Sequence, residues 1–164
     1  GVSGETMTLT VSGEQTAAGS YTATASCASV ATNKKCSNYT LKSTTTSQDY
    51  TILAYSLTNA TIDAITALTY NGSAQTPLPV VKALSTTLTK DTDYTVSYTN
   101  NTNAGTATVT VTGKGNYKST KSQTFTIYKK TATVTWSNTS LTFNNASQKP
   151  TATAETGVSG ETIV

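Results

Sequence analysis

The sequence predicts an all-β protein, and three observations carry this prediction. Apolar residues recur at every second position in several short segments, which is the period of a half-buried strand. Threonine is the commonest residue, and its branched Cβ suits a pleated sheet. Asn and Gly, which tolerate a positive φ, separate the alternating segments. No segment of useful length shows a helical period.

Composition narrows the class of protein further. The chain has 164 residues, of which 35% are hydrophobic and 12% charged, whereas typical domains have about 45–50% and about 25%. Threonine hydroxyls keep a sheet surface wet without charge, so we expect a Thr-rich extracellular protein. The net charge of +3 comes from lysine alone. We expect no nucleic-acid partner, because the chain has no Arg, the residue that makes bidentate contacts to phosphate and guanine. No apolar run approaches the roughly 18 residues of a membrane span.

The clearest strands are predicted between Asp93 and Ile127. The alternating apolar residues there are Tyr94, Val96, Tyr98, Ala107, Val109, Val111, Phe125 and Ile127. The alternation breaks at residues 100–105 and again at residues 113–116, where Asn and Gly are concentrated. This pattern predicts three antiparallel strands joined by short turns.

Both ends of the chain show the same alternation. At the start the in-phase residues are Met7, Leu9, Val11, Tyr21, Ala23, Ala25, Tyr50 and Ile52, and near the end they are Ala132, Val134 and Trp136. We expect these residues to line cores. For Trp136 a core position is favoured over a sugar-stacking platform, because the residue is in phase with its apolar neighbours.

The chain contains three internal repeats. Repeats of this kind indicate the architecture of a whole chain, so they constrain the fold more than single strands do. Residues 68–77 resemble residues 141–150, an offset of 73 positions (68 to 141). Landmarks within residues 18–52 recur in the same order within residues 104–127. The sequence GVSGET occurs at residues 1–6 and again at residues 157–162, an offset of 156 positions (1 to 157).

These repeats have one joint solution. Residues 53–128 carry the early and the late landmarks and are predicted to form a complete domain. Residues 1–52 carry only the late landmarks and are predicted to be the C-terminal part of a domain. Residues 129–164 carry only the early landmarks and are predicted to be the N-terminal part of the next domain, of the same type as 1–52. We therefore expect an excerpt of a longer tandem array.

Two cysteines, Cys27 and Cys36, fall where the first piece is eight residues longer than its counterpart. A redox or metal site is one reading, but two Cys without His give too few ligands for zinc. A disulfide formed in an oxidising compartment is favoured. Closing so short a loop contributes about 2–3 kcal/mol in the chain-entropy model.

A resemblance to known repeats covers nearly the whole chain. The run from Leu88 to Ile127, with DYTVSYTNNTNAGTATVTVTGKGNY and a closing TFTI, resembles the short repeat domains of large surface proteins of Gram-positive and gut bacteria. Residues 129–150, KKTATVTWSNTSLTFNNASQKP, followed by the NYT and DYTI of the first piece, resemble MBG-type bacterial immunoglobulin-like repeats. The resemblance implies tandem small immunoglobulin-like β-sandwich domains, one complete and two partial, used in a stalk or in adhesion. It implies no active site, and the Cys27–Cys36 insertion departs from it.

The sequence gives little support to catalysis, to a calcium site or to an isopeptide bond. The chain has no His, so the common general-base and nucleophilic machinery is missing, and we expect neither an enzyme nor a cofactor. Asp91 and Asp93 are a candidate calcium pair, although an ordinary turn is favoured. Lys129 or Lys130 could join a late-strand Asn in an isopeptide bond, but that reaction needs a buried carboxylate, and no acid is in phase with the core residues.

Three function hypotheses follow. The first is a structural repeat unit of an extracellular stalk or filament, on the cell surface, completed end to end by neighbouring copies of the repeat. The alternative is an adhesin or carbohydrate-binding module whose partner is a host or matrix glycan or protein. The third hypothesis is an enzyme. It would need a pair of acidic residues that converge in a cleft, and no sequence motif predicts such a pair.

Overall fold

The computed structural model describes residues 7–28, 36, 39–43 and 46–161, and within them the chain is all-β, as predicted. The strands are β1 (Leu9–Ser12), β2 (Gly19–Cys27), β3 (Ser47–Ile52), β4 (Tyr55–Ser56), β5 (Thr61–Ile62), β6 (Leu68–Thr69), β7 (Val81–Ala83), β8 (Thr86–Thr87), β9 (Tyr94–Thr99), β10 (Gly105–Gly113), β11 (Tyr117–Lys118), β12 (Thr120–Tyr128), β13 (Thr133–Ser137) and β14 (Thr151–Glu155). A 3-10 turn spans Leu57–Asn59. No helix in the described part of the chain has the length and hydrophobicity to cross a membrane.

The chain falls into two compact units. One comprises Gly1–Asn59, Thr89–Thr95 and Thr112–Thr120, and the other comprises Ala60–Leu88, Val96–Val111 and Lys121–Val164. The division into domains at 1–52, 53–128 and 129–164 rests on sequence repeats and stays a prediction. The first copy of GVSGET, at residues 1–6, lies outside the described residues.

The first unit contains a three-stranded antiparallel sheet in the order β1-β2-β3. Tyr21 lies opposite Tyr50 in its register, and Gly19 lies opposite Ile52. In the same unit the short strands β4 and β11 pair in parallel. Asn116 joins these parts, because its side-chain oxygen accepts the N–H of Ala18 at 2.7 Å and its carbonyl accepts the N–H of Tyr55 at 2.9 Å.

Most of the second unit is built from three sheets. A four-stranded sheet has the order β6-β12-β10-β9, a three-stranded sheet has the order β5-β7-β8, and β13 pairs with β14. The three strands predicted between Asp93 and Ile127 are confirmed as β9, β10 and β12. The predicted turns also hold, since Asn100 and Gly115 adopt φ of 55° and 64°.

Burial is concentrated in the middle of the chain. The buried apolar residues are Leu57, Ala60, Ile62, Val81, Ala83, Leu88, Tyr94, Ala107, Val109, Val111, Phe125 and Ile127. The predicted inward positions of β10 and β12 are thus correct, and the threonines between them lie on the other side. None of the described residues before Leu57 or after Ile127 is buried. The sheets near the two ends are therefore formed without a core of their own.

Candidate functional site

The sheet β1-β2-β3 has one apolar side, which we call the first face. Directly opposite residues of an antiparallel pair project to the same side of a sheet. The register pairs Val11 with Ala25, Leu9 with Cys27 and Tyr21 with Tyr50, so the apolar residues lie together on one side, as their alternation predicts. Val11 is nevertheless 58% exposed. The predicted core positions of this segment share a face, but none of them is buried in the part of the chain that the structure describes.

Two tyrosines of the first face contact each other and the backbone. The rings of Tyr21 and Tyr50 lie 5.7 Å apart between centroids. The Tyr50 hydroxyl donates to the carbonyl of Gly13 at 2.5 Å, and the Tyr21 hydroxyl donates to the carbonyl of Ala17 at 3.0 Å. Both phenols are held by backbone oxygens, so the apolar part of each ring remains as the contact surface.

The hairpin β13-β14 has a matching apolar side, which we call the second face. Its register pairs Val134 with Ala154 and Trp136 with Ala152, while polar residues, most of them threonines, occupy the other side. Trp136 is 63% exposed. The core position predicted for Trp136 is therefore wrong for the described part of the chain, in which the tryptophan ring stays largely exposed.

The loop between β13 and β14 repeats a loop of the central region in detail. In the central loop the Asn71 side chain accepts the N–H of Ser73 at 2.9 Å, and Gln75 donates to the carbonyl of Thr69 at 3.1 Å. The same two bonds recur 73 positions later. The later partners are Asn144 with Ala146 at 3.0 Å and Gln148 with Thr142 at 2.8 Å.

The two loops also share a backbone conformation, and they differ in what covers them. Gly72 and Asn145 occupy equivalent positions with φ of 81° and 57°, a region in which Gly and Asn are the least strained residues. Leu68 packs against buried Phe125 and Ile127. Its counterpart Leu141 is 46% exposed, and Phe143 is 85% exposed. The second loop is thus formed in full while its apolar side chains face solvent.

The cysteine pair lies at the end of β2. Cys27 and Cys36 lie at disulfide distance, with their Cα atoms 5.8 Å apart, inside the usual range of a disulfide. Neither described cysteine is free. Disulfides persist in oxidising compartments, so the pair indicates an extracellular rather than a cytoplasmic location.

A shallow cleft of about 320 Å³ lies in the second unit. Tyr70 donates a hydrogen bond there to the Glu161 carboxylate, and Lys130 donates to the carbonyl of Gly157 at 2.6 Å. The hydrogen bond to Glu161 raises the pKa of Tyr70, and desolvation and the negative charge of Glu161 act in the same direction. The alternation pattern did not predict this cleft, because its residues come from loops.

The cleft contains both lysines that were considered for an isopeptide bond. Lys129, Lys130, Asn103 and Glu161 all line it. No polar or charged residue in the described part of the chain is buried, so the buried carboxylate that the reaction needs is missing there. These side chains therefore remain ordinary exposed groups.

The candidate calcium pair serves a turn. The Asp93 carboxylate accepts the N–H of Thr89 at 2.8 Å, and Asp91 forms an ion pair with Lys90 at 2.7 Å. No group of three His, Cys, Asp or Glu residues that could hold a metal occurs among the described residues. Both carboxylates thus have the roles of turn residues.

Comparisons of the chain with protein-family models, curated proteins and solved structures find no match. The two faces and the repeated loop are the features of this chain that bear on its function.

Proposed function

We propose that this chain is a structural repeat unit of an extracellular stalk or filament of a large bacterial surface protein, completed end to end by neighbouring units. In this proposal each copy of the chain contributes one complete immunoglobulin-like sandwich and two partial ones. A copy on either side supplies the missing sheet. The length of such an assembly then grows with the number of copies.

The observation that carries the proposal is the contrast between a buried centre and two uncovered faces. Val109 and Phe125 are fully buried, whereas the alternating residues of β2 and β13 are half-buried or exposed. Contiguous exposed apolar patches often mark protein interaction sites. Burying each apolar side chain contributes about 1.5–3 kcal/mol, so two such faces favour an additional layer.

The twin loops support a neighbour of the same kind. The loop at residues 141–150 has the hydrogen bonds of the loop at residues 68–77, which is part of a covered structure. The cross-strand contacts of the first sheet also have a central counterpart. Thr110 and Ser122 share a hydrogen bond of 2.9 Å, at the positions that correspond to the opposed pair Thr24 and Ser47.

The first test is the mass of the native polypeptide and of its assemblies. Under denaturing and reducing conditions, many times 17.0 kDa indicates a covalent array, and a value near 17.0 kDa indicates separate subunits. Sedimentation of this 164-residue chain from micromolar to near-millimolar concentration should then show reversible growth beyond the monomer. A chain that stays monomeric throughout would overturn the proposal.

A second candidate, a carbohydrate-binding module of an adhesin, is favoured by one observation. Trp136 presents an exposed ring on the same side of the hairpin as Val134 and Ala154, and an exposed aromatic ring is a stacking platform. A glycan array that finds Trp136-dependent binding to the monomer supports this candidate. An array without hits above background leaves the structural unit as the better account.

A further inference from the structure

The central region shows how a short segment closes the edge of a sheet. β6 runs parallel to the end of β12, with Leu68 opposite Ile127 and Thr69 opposite Tyr128. The N–H of Tyr70 then donates to the carbonyl of Tyr128 at 2.9 Å. The side chains of Leu68 and Tyr70 pack against the buried cluster of Ala107, Phe125 and Ile127. Three residues thus occupy an edge and cover part of a core at once.

The first sheet has the same end but lacks this segment. Its strand β3 ends in Tyr50, Thr51 and Ile52, which correspond to Phe125, Thr126 and Ile127 at the end of β12. In the order β1-β2-β3, the strand β3 pairs with β2 and leaves its other side open. Among the described residues, no strand fills the position beside β3 that β6 fills beside β12. An open strand edge is a template for another chain.

The second loop carries the missing segment in a folded but unpaired form. Leu141, Thr142 and Phe143 correspond to Leu68, Thr69 and Tyr70, and the loop that follows them has the same hydrogen bonds. These three residues belong to no strand. Because the loop is already formed, pairing would order little additional backbone, which lowers the entropic cost of association.

We propose that Leu141–Phe143 of one copy pairs in parallel with the end of β3 in a second copy of this chain. In this seam Leu141 lies opposite Ile52, Thr142 lies opposite Leu53, and the N–H of Phe143 donates to the carbonyl of Leu53. The side chains of Leu141 and Phe143 cover Tyr50 and Ile52 of the first face. The inference rests on the proposed function and adds to it the partner segment, the strand direction and the register.

The addition of a strand to an open edge is a general mode of recognition in which backbone bonds supply affinity and side chains supply specificity. The specificity here comes from the side chains of Leu141 and Phe143, which meet the first face of the second copy. Leu141 would meet Ile52 as Leu68 meets Ile127, which is an aliphatic pair in both cases. Phe143 takes the place of Tyr70 without a hydroxyl, so it brings no polar group into the covered face.

A cross-linking experiment tests the register. A chain with Ile52→Cys is mixed with a chain carrying Leu141→Cys under mild oxidation, and mass spectrometry identifies the linked peptides. The expected product is a heterodimer joined through the two introduced thiols. The matched control is Thr51→Cys with Leu141→Cys, because Thr51 projects to the other side of β3 and should give at least about tenfold less product.

Two further variants test the affinity. Phe143→Asp should weaken self-association at least about tenfold, because it places a charge in the covered face. Leu78→Asp, at an exposed position outside both faces, is the control for added charge and should leave the association unchanged. Phe143→Pro should also weaken association, since it removes the donor N–H.

The outcomes separate the seam from the broader proposal. If the unmodified chain associates but the Ile52 and Thr51 pairs cross-link equally or not at all, the seam is wrong and the structural unit stands. If the unmodified chain is monomeric at every concentration, both are wrong. If a chain carrying both Ile52→Cys and Leu141→Cys links only within itself, the occupant is not a second copy.

Discussion

Strands β2 and β10 have the same length and the same alternation, yet only one of them belongs to a core. β10 places Ala107, Val109 and Val111 in positions with no exposed surface. The corresponding inward residues of β2, which are Tyr21, Ala23 and Ala25, are only half-buried. Periodicity decides which way a side chain points, whereas burial requires a second layer over that side. The difference between the strands therefore lies in what covers them.

The same contrast separates the twin loops. Residues 68–77 and 141–150 make the same two side-chain hydrogen bonds, so local sequence suffices to form both. Only the first has its leading leucine packed on buried neighbours. Local polar bonds thus form without a core, and the apolar residues beside them are left for another partner.

Truncating matched residues of β12 and β3 should give the largest difference between the two regions. Phe125→Ala should lower the free energy of unfolding by about 3–5 kcal/mol, because Phe125 is buried and its removal leaves a cavity. Tyr50→Ala at the corresponding position should cost about 1 kcal/mol in the monomer, chiefly its hydrogen bond to Gly13. Amide exchange of β12 and β3 measures the two costs separately. Equal costs would mean that β3 already has a core.

The disulfide should act on one region only. Replacing both Cys27 and Cys36 with Ser should lower the local stability of β1, β2 and β3 by about 2–3 kcal/mol, since the closed loop no longer restricts the unfolded chain. The exchange rates of β10 and β12 should not change. Reductant gives the matched control, because it should destabilise the unmodified chain and leave the double variant unaffected. A loss of protection in β10 would contradict the separation.

The second face can be followed through its tryptophan. The only tryptophan of the chain, Trp136, is exposed, so acrylamide should quench its fluorescence efficiently at low protein concentration. Emission should shift to the blue and quenching should fall as the concentration rises and the face is covered. Trp136→Ala should weaken association about tenfold, or about 1.4 kcal/mol. Leu78→Ala is the control, and a tryptophan signal independent of concentration would argue against assembly through this face.

The smallest effect is expected at the cleft. The neutral Tyr70 hydroxyl donates to Glu161, and the pKa of Tyr70 is raised, so this bond contributes below the ordinary pKa near 10 and is lost as the pH rises through the raised pKa. Spectroscopic titration should show a tyrosine component that ionises above the ordinary pKa, and Tyr70→Phe should remove that component. Tyr128→Phe is the control. A late component that survives in Tyr70→Phe would contradict the assignment.

Much of the architecture was predictable because alternation and turn chemistry are local properties. The strands β9, β10 and β12, the turns at Asn100 and Gly115, and the shared face of Tyr21 and Tyr50 all follow from residues a few positions apart. The exposure of Trp136 was not predictable in this way. A tryptophan that is in phase with apolar neighbours is predicted to be a core residue. Whether a second layer covers it depends on segments far away in the chain or in another molecule.

The cleft and the open edge also escaped prediction. Tyr70 and Glu161 are 91 positions apart and meet through loops, which have no period to read. The open side of β3 becomes visible only when its pairing is known, since an edge strand and a central strand of similar sequence differ in their neighbours.

The all-β class, the direction of the alternating apolar residues and the equivalence of the two loops follow from the sequence alone. Which of the equivalent surfaces are buried depends on the tertiary structure. The physical reason is that strand periodicity and turn conformation are fixed by sterics within a few residues, whereas hydrophobic burial depends on a second surface being brought to the first. In this chain that second surface is present for residues 57–127 and absent at the described flanking sheets.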